Sequence, residues 1–255
     1  MNSTSRFSDR VENYIKYRPS YPETVISYLE TKFHIKKSML AADIGSGTGI
    51  SSELFLNKGF TVIGIEPNKE MREAAEKLLS KFDDFTSVNG TAESTGLDDG
   101  SIDIIIAGQA FHWFDHAKCK KEFKRILSPE GLVILMWNER AVNTNDFLKD
   151  YEALIKKYGT DYEKVKHTRI GSEDDDAINE FFSPAKAEIF SVENFQYLDF
   201  EGFKGRLLSS SYIPQNGLES EKMIKELKLL FDKYEVDGKV TLEYVTRVYT
   251  GRLNE

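Results

Sequence analysis

The stretch LAADIGSGTGI, residues 40–50, decides how this chain is read. A short apolar run ends in an acid, Asp43, and then meets three glycines, Gly45, Gly47 and Gly49, alternating with Ser46 and Thr48. A buried strand, a glycine turn and a following helix form the unit with which open α/β sheets bring backbone close to a ligand. The spacing narrows the choice of ligand. A dinucleotide fingerprint, Gly-x-Gly-x-x-Gly, would place its third glycine where Ile50 stands. A phosphate-cradling loop ends in Gly-Lys-Ser/Thr, and this turn holds no lysine.

The acids on either side sharpen the reading. Asp43 would oppose a pyrophosphate, whereas it suits a ligand carrying an ammonium group, such as the amino-acid end of S-adenosylmethionine. Glu66 closes the strand-like FTVIGIE (residues 60–66) and can accept hydrogen bonds from both hydroxyls of a ribose. Its distance from the turn is close to the spacing of about 20 residues at which a ribose-binding acid follows such glycines.

Working outward, strand-like and helix-like segments alternate. Val25, Ile26, Leu29 and Phe33 recur at helical spacing after Pro22, and residues 39–44 form the first strand. Residues 50–58 read as a short helix closed by Gly59. Met71, Ala74, Ala75, Leu78, Leu79 and Phe82 make one apolar stripe. FTSVNG (85–90), SIDIIIAG (101–108) and GLVILMW (131–137) are the third to fifth strands, the last entered through a turn-like SPEG. Residues 138–185 read as helical and polar, with an acidic run at 173–176. A strand (187–200), an amphipathic helix (218–234) and a last strand (239–249) follow. Strands separated by helices imply a parallel sheet with right-handed crossovers, an α/β fold.

Composition sets outer limits. With 255 residues, 40% hydrophobic and 12% aromatic, the chain can bury a sizeable core. A net charge of -8 and a pI near 5.3 speak against a nucleic-acid or anionic-membrane partner. One cysteine, Cys119, excludes an internal disulfide, fits a reducing compartment, and reads as a small buried hydrophobe. With no signal-peptide pattern at the N-terminus and no apolar run of membrane length, the expectation is a cytoplasmic protein, monomeric or homodimeric.

At this point the chain resembles the class I S-adenosylmethionine-dependent methyltransferases. DIGSGTG (43–49), IEPNKEM (65–71), GTAESTGLDDGSIDIIIAGQAFHWFD (90–115) and GLVILMW (131–137) stand in that family's order. AFHWFD (110–115), YRPSYP (17–22) and SSSYIP (209–214) are similar to the small-molecule branch typified by trans-aconitate methyltransferase. The resemblance implies a Rossmann-like, mostly parallel seven-stranded sheet with helices on both faces and a helical insert after the fifth strand. The parts would be a lid and first helix (1–37), a cofactor core (38–137), an insert on the substrate side (138–185) and the remainder of the same sheet domain (186–255).

For S-adenosylmethionine the resemblance gives Asp43 and the backbone of Gly45, Ser46, Gly47 and Gly49 the methionine end, and Glu66 the ribose. Pro67 would flank the adenine, and Ala92 and Glu93 would meet its edge. Thr91 stands where the family often has Asp. Gln109 and Ala110 would pass near the methionine portion, and Tyr14 and Arg18 would fold over the ligand.

His112, just past the fourth strand, is the candidate base or acceptor contact, with Trp113, Arg169 and Tyr212 as further acceptor contacts. Arg247 is another possible anchor from the variable region. His112 and His116 share the spacing of a helical metal pair, but no HExxH or cysteine pair accompanies them, so no metal is expected. The expected activity is methylation of a small molecule, with a carboxylate oxygen the leading acceptor and nitrogen, carbon or hydroxyl acceptors as alternatives. Two other classes compete. A non-catalytic S-adenosylmethionine-binding module would transfer no methyl group to any extract component. A nucleotide-dependent oxidoreductase, disfavoured by Asp43 and Ile50, would bind NAD in its place.

Overall fold

The computed structural model describes residues 15–160, 162 and 176–253. Tyr14, Arg169 and most of the acidic run at 173–176 lie outside the described residues. Seven strands form one sheet in the order β3-β2-β1-β4-β5-β7-β6. Strands β1 (Leu40–Ile44), β2 (Thr61–Ile65), β3 (Phe85–Val88), β4 (Ile102–Gly108) and β5 (Leu127–Arg140) run parallel. β7 (Val240–Gly251) lies antiparallel between β5 and β6 (Glu188–Leu198). The order of chain crossings reverses between β1 and β4, so a crevice opens at their carboxyl ends.

Central strands read as continuous apolar runs because helices cover both faces of the sheet. One face buries Phe111, Phe123, Trp137 and Phe182, with α4 (His116–Ile126) and α6 (Asp176–Phe182). The other buries Val25, Ile26 and Leu29 of α1 (Thr24–Phe33) with Leu54, Phe55 and Leu56 of α2 (Ile50–Leu56). Helix α3 (Lys69–Leu78) starts at Asn68, whose side chain accepts a hydrogen bond from the Met71 amide and satisfies an otherwise open donor.

A third apolar cluster was not legible as a unit. Helices α5 (Asp146–Tyr158), α7 (Phe200–Leu208) and α8 (Leu218–Tyr234) join through Phe147, Tyr151, Phe203 and Phe231. They pack on Leu198, Val240, Leu242 and Tyr244, where β6 and β7 run on past the sheet. Helix α7 was not anticipated, since the strand pattern before it ran to Phe200. Asp199 caps it by accepting from the Gly202 amide at 2.8 Å.

The fifth strand is longer than its apolar run. SPEG is absorbed into β5 as a register irregularity, with Leu127 opposite Ile102 and Leu132 opposite Ile104. Beyond Trp137 the strand continues to Arg140, because β7 pairs with it out to Arg140↔Tyr244 and satisfies its backbone. No helix among the described residues is long and apolar enough to cross a membrane.

Candidate functional site

The glycine turn leaves the end of β1 and is tied to β2 through the Gly45 and Ser46 amides, which donate to the Ile65 carbonyl at 2.8 and 3.2 Å. All three glycines have positive φ, but each position serves a different purpose. A Cβ on Gly45 would lie 2.8 Å from the Ala110 Cβ and 3.2 Å from the Phe114 ring, so this glycine lets the turn close on the segment after β4. One on Gly49 would lie 2.6 Å from Leu79 Cδ1, so that glycine serves helix packing. At Gly47 the nearest atom would be Met71 Sδ at 3.8 Å. No close packing demands a glycine here, and this backbone borders a cavity, the cradle a ligand would fill.

Glu66 braces that cradle. Its Oε2 accepts from the Gly47 amide at 2.9 Å and its Oε1 from the Asn68 amide at 2.8 Å. The Arg72 guanidinium donates to the Glu66 carbonyl at 2.9 Å. Burial pushes the carboxyl pKa up, against the two amide bonds that hold it down. Asp43 is fully buried. Its Oδ2 accepts from Ser51 Oγ at 2.7 Å and Ser52 Oγ at 2.6 Å, while Oδ1 has no partner among the described residues. Burial raises its pKa to about 6, the serine bonds oppose that rise, and the nearby Glu66 charge adds to it. A buried carboxylate oxygen without a partner is costly and is suited to a cationic ligand group.

These groups border a cavity of about 310 Å³ at the β1/β4 switch point. Its lining takes in the turn and the segment Glu66, Pro67, Asn68 and Met71. Thr91, Ala92 and Glu93 also line it, as do Gln109, Ala110, Trp113 and Phe114. The N-terminal segment contributes Arg18, Pro19 and Tyr21, and Asn138 and Arg206 complete the group. Glu93 is already engaged, since its Oε1 accepts from the Asp115 amide at 2.9 Å and steadies the start of α4. Gln109 holds a left-handed φ of 58°, and its side chain donates to the Asn138 carbonyl at 3.2 Å. Such backbone persists only where surrounding contacts fix it.

The N-terminal strap is pinned over this cavity by side chains far away in sequence. Asn194 and Asn138 donate to the Ser20 carbonyl at 2.8 and 3.2 Å, and Gln196 donates to the Tyr17 carbonyl at 2.8 Å. Arg18 donates to the Ser209 carbonyl at 3.2 Å. The strap presses so closely on α7 that the Tyr17 ring leaves no room for a Cβ on Gly205.

Most of the site residues expected from sequence therefore meet at one cavity, and five described ones do not border it. Asp43 is not in the lining but accepts from Ser51, which is. Gly49 packs between helices. His112 sits in the 3-10 turn Phe111–Trp113, its ring 4.9 Å from that of Trp113, and Trp113 is the one that reaches the cavity. Tyr212 packs against Tyr162 at 4.8 Å, and its carbonyl accepts from the Thr160 amide. Arg247 pairs with Glu139 at 3.3 Å. His116 is stacked on Phe111, and no group of three or more potential metal ligands exists among the described residues.

Sequence reading missed Asn68, Met71, Asn138 and Arg206. Asn68 and Met71 sit inside IEPNKEM, and Asn138 directly follows GLVILMW, so adjacency to the motifs was their available signal. Arg206 had none, because it belongs to a helix outside the recognised pattern.

Comparison with known proteins agrees with this geometry. The methyltransferase domain family matches residues 42–135. An uncharacterized methyltransferase of Mycobacterium tuberculosis is 34% identical over 134 residues, 52% of each chain. One from Schizosaccharomyces pombe is 29% identical over 152 residues, 59% of each chain. The chain thus spans about half the length of the curated relatives it matches. A solved protein of Anaeromyxobacter dehalogenans, a candidate type II methyltransferase, superposes with a TM-score of 0.63 at 19% identity, over 93% of this chain and 98% of that one. An Anabaena variabilis structure gives 0.63 at 21% identity, over 92% and 98%. At such identities the likeness speaks for the fold alone. Residues 42–135 thus match a methyltransferase domain, and the seven-stranded, mostly parallel sheet has the Rossmann-like architecture of these solved structures.

Proposed function

We propose that the protein transfers the methyl group of S-adenosylmethionine to a small molecule, with a carboxylate oxygen as the accepting atom. The carrying observation is the pairing of two buried acids, Asp43 and Glu66, with a glycine turn whose Gly47 backbone borders the cavity. In this reading Asp43 provides the acidic surroundings for the ammonium group, directly or through water, and Glu66 accepts from the ribose while bracing Gly47. Pro67, Ala92 and Met71 offer apolar surface to the adenine. The pinned strap, Tyr17 to Tyr21, encloses the site and excludes water, and a cavity of about 310 Å³ favours a small acceptor.

When bound, the cofactor supplies an already activated methyl group on a sulfonium, whose C–S electron pair leaves to sulfur as the new bond forms. The protein's task is alignment and dehydration of the acceptor. A carboxylate arrives deprotonated, loses its charge on becoming an ester, and needs no base. A hydroxyl acceptor needs one. This favours the branch typified by trans-aconitate methyltransferase, whose motif segments include the strap and the Trp113 turn.

The position of His112 makes a prediction. Because its ring does not border the cavity, His112→Gln should leave methyl transfer within about tenfold of wild type, whereas loss of a general base costs on the order of a hundredfold or more. Single-turnover transfer to the natural acceptor, paired with cofactor titration, measures this. A hundredfold loss at unchanged cofactor affinity would restore His112 as a base and point to a hydroxyl acceptor. The primary test of the activity is incubation of the protein and a cell extract with methyl-labelled cofactor. Absence of label in every small-molecule fraction would refute it.

A further inference from the structure

Arg206 lies at the cavity with a buried guanidinium and no carboxylate beside it among the described residues. Its Nε donates to Tyr244 Oη at 3.1 Å, and its Nη1 is 3.4 and 3.3 Å from the Ser209 and Ser210 hydroxyls. All three partners are neutral. The contrast with Arg140 nearby is informative, since that buried guanidinium is paired with Glu152 at 2.6 Å. Burying a charge without a counter-charge is unfavourable unless a ligand supplies one. The scaffold is stiff, because α7 carries Arg206 against the third apolar cluster while Tyr244 is buried on β7 and donates to Gln196 at 3.2 Å.

The cavity is also lined by both signs of charge. Glu66 and Glu93 come from the motif segments, and Arg18 and Arg206 from the strap and α7. In a chain of net charge -8, an anionic acceptor entering beside two carboxylates needs a fixed positive group to hold it. We propose that Arg206 is the specificity-determining anchor for an anionic group of the methyl acceptor, one separate from the accepting oxygen. Guanidinium binds carboxylate with a fork of parallel hydrogen bonds. Gripping the reacting carboxylate would draw charge from the nucleophile and leave the guanidinium unpaired beside the ester. Holding a second anionic group keeps the pair intact through transfer. The acceptor class is then a small acid with at least two anionic groups, an assignment that rests on the methyl-transfer reading for its chemistry but not for its binding.

The test uses the full chain loaded with S-adenosylhomocysteine, titrated with succinate, glutarate and citrate and with neutral glutaramide, read as the shift in thermal midpoint. At least one dianion or trianion should raise the midpoint while glutaramide does not. Arg206→Met should abolish that shift while binding S-adenosylhomocysteine within about threefold of wild type. Its ligand-free midpoint should be equal or higher, because an uncompensated buried charge has been removed. Arg206→Lys, which keeps charge without the fork, should retain a smaller shift. Equal responses to acid and amide, or an anion shift that survives in Arg206→Met, would overturn the proposal. So would a lower ligand-free midpoint joined to lost S-adenosylhomocysteine binding in both variants, the signature of a structural arginine.

Labelled transfer separates the two readings. Anion binding that depends on Arg206 without any transfer to extract would refute the methyl-transfer reading and leave the anchor standing. Label entering neutral or cationic products equally with wild type and Arg206→Met would refute the anchor and leave methyl transfer standing. An anionic product reduced at least thirtyfold by Arg206→Met supports both.

Discussion

Replacing Glu66 with alanine is expected to weaken S-adenosylmethionine and S-adenosylhomocysteine by roughly a hundred- to a thousandfold, and by equal factors. Two losses combine. In the proposed role, the ribose hydroxyls lose a charged acceptor, and hydrogen bonds to charged groups contribute about 1.5–3 kcal/mol each. The Gly47 and Asn68 amides also lose the oxygens that hold them at 2.9 and 2.8 Å, so the cradle itself loosens. Glu66→Gln should fall between, near tenfold, because an amide oxygen still serves one of these donors while its NH2 group opposes the other. Calorimetric titration with both ligands checks the result. The ligands share the ribose and differ at sulfur, so a loss selective for one of them would contradict the role given to Glu66.

Asp43 should couple cofactor binding and stability to pH in opposite directions. Its pKa in the folded chain is about 6, above the ordinary value of 3.8, and burial is the chief cause. A carboxyl with a raised folded pKa stabilises the ligand-free fold fully below about 3.8, and that contribution is lost as pH rises through about 6. The difference is on the order of 3 kcal/mol. Asp43→Asn should therefore make the ligand-free protein more stable at pH 7 and flatten its stability between pH 4 and 6. It should also weaken cofactor binding on the order of a hundredfold, since the ammonium loses its charged partner.

Wild-type affinity should decline below pH 6 by up to about tenfold per unit, as Asp43 takes up a proton that the bound ammonium disfavours. Denaturant unfolding without ligand and calorimetry with it, each across pH 4–8, measure the two trends. Parallel trends, or a variant that binds normally at pH 7, would remove Asp43 from the site.

What the sequence determined by itself is the motif half of this protein. Strand, glycine turn, acid and helix are local patterns, so periodicity placed β1 to β4 and α3 close to where they lie, and spacing singled out Asp43, Gly47 and Glu66. The reasons for individual glycines were not local. Gly45 meets Ala110 and Phe114, and Gly49 meets Leu79, contacts that exist only once the sheet order is set. The extension of β5 to Arg140 likewise depended on β7, because exposed strand backbone needs a partner that periodicity cannot name.

The acceptor side was decided by tertiary structure. Arg206 reaches the cavity because α7 packs in the third cluster, while Asn138, Asn194 and Gln196 hold the strap from two different strands. His112 follows the fourth strand as expected, yet the tight turn Phe111–Trp113 brings Trp113 and not His112 to the cavity. A sequence motif reports the part of a site that one segment builds. The groups facing it come from segments whose proximity is created by burial of apolar faces, and they carry no mutual signal along the chain.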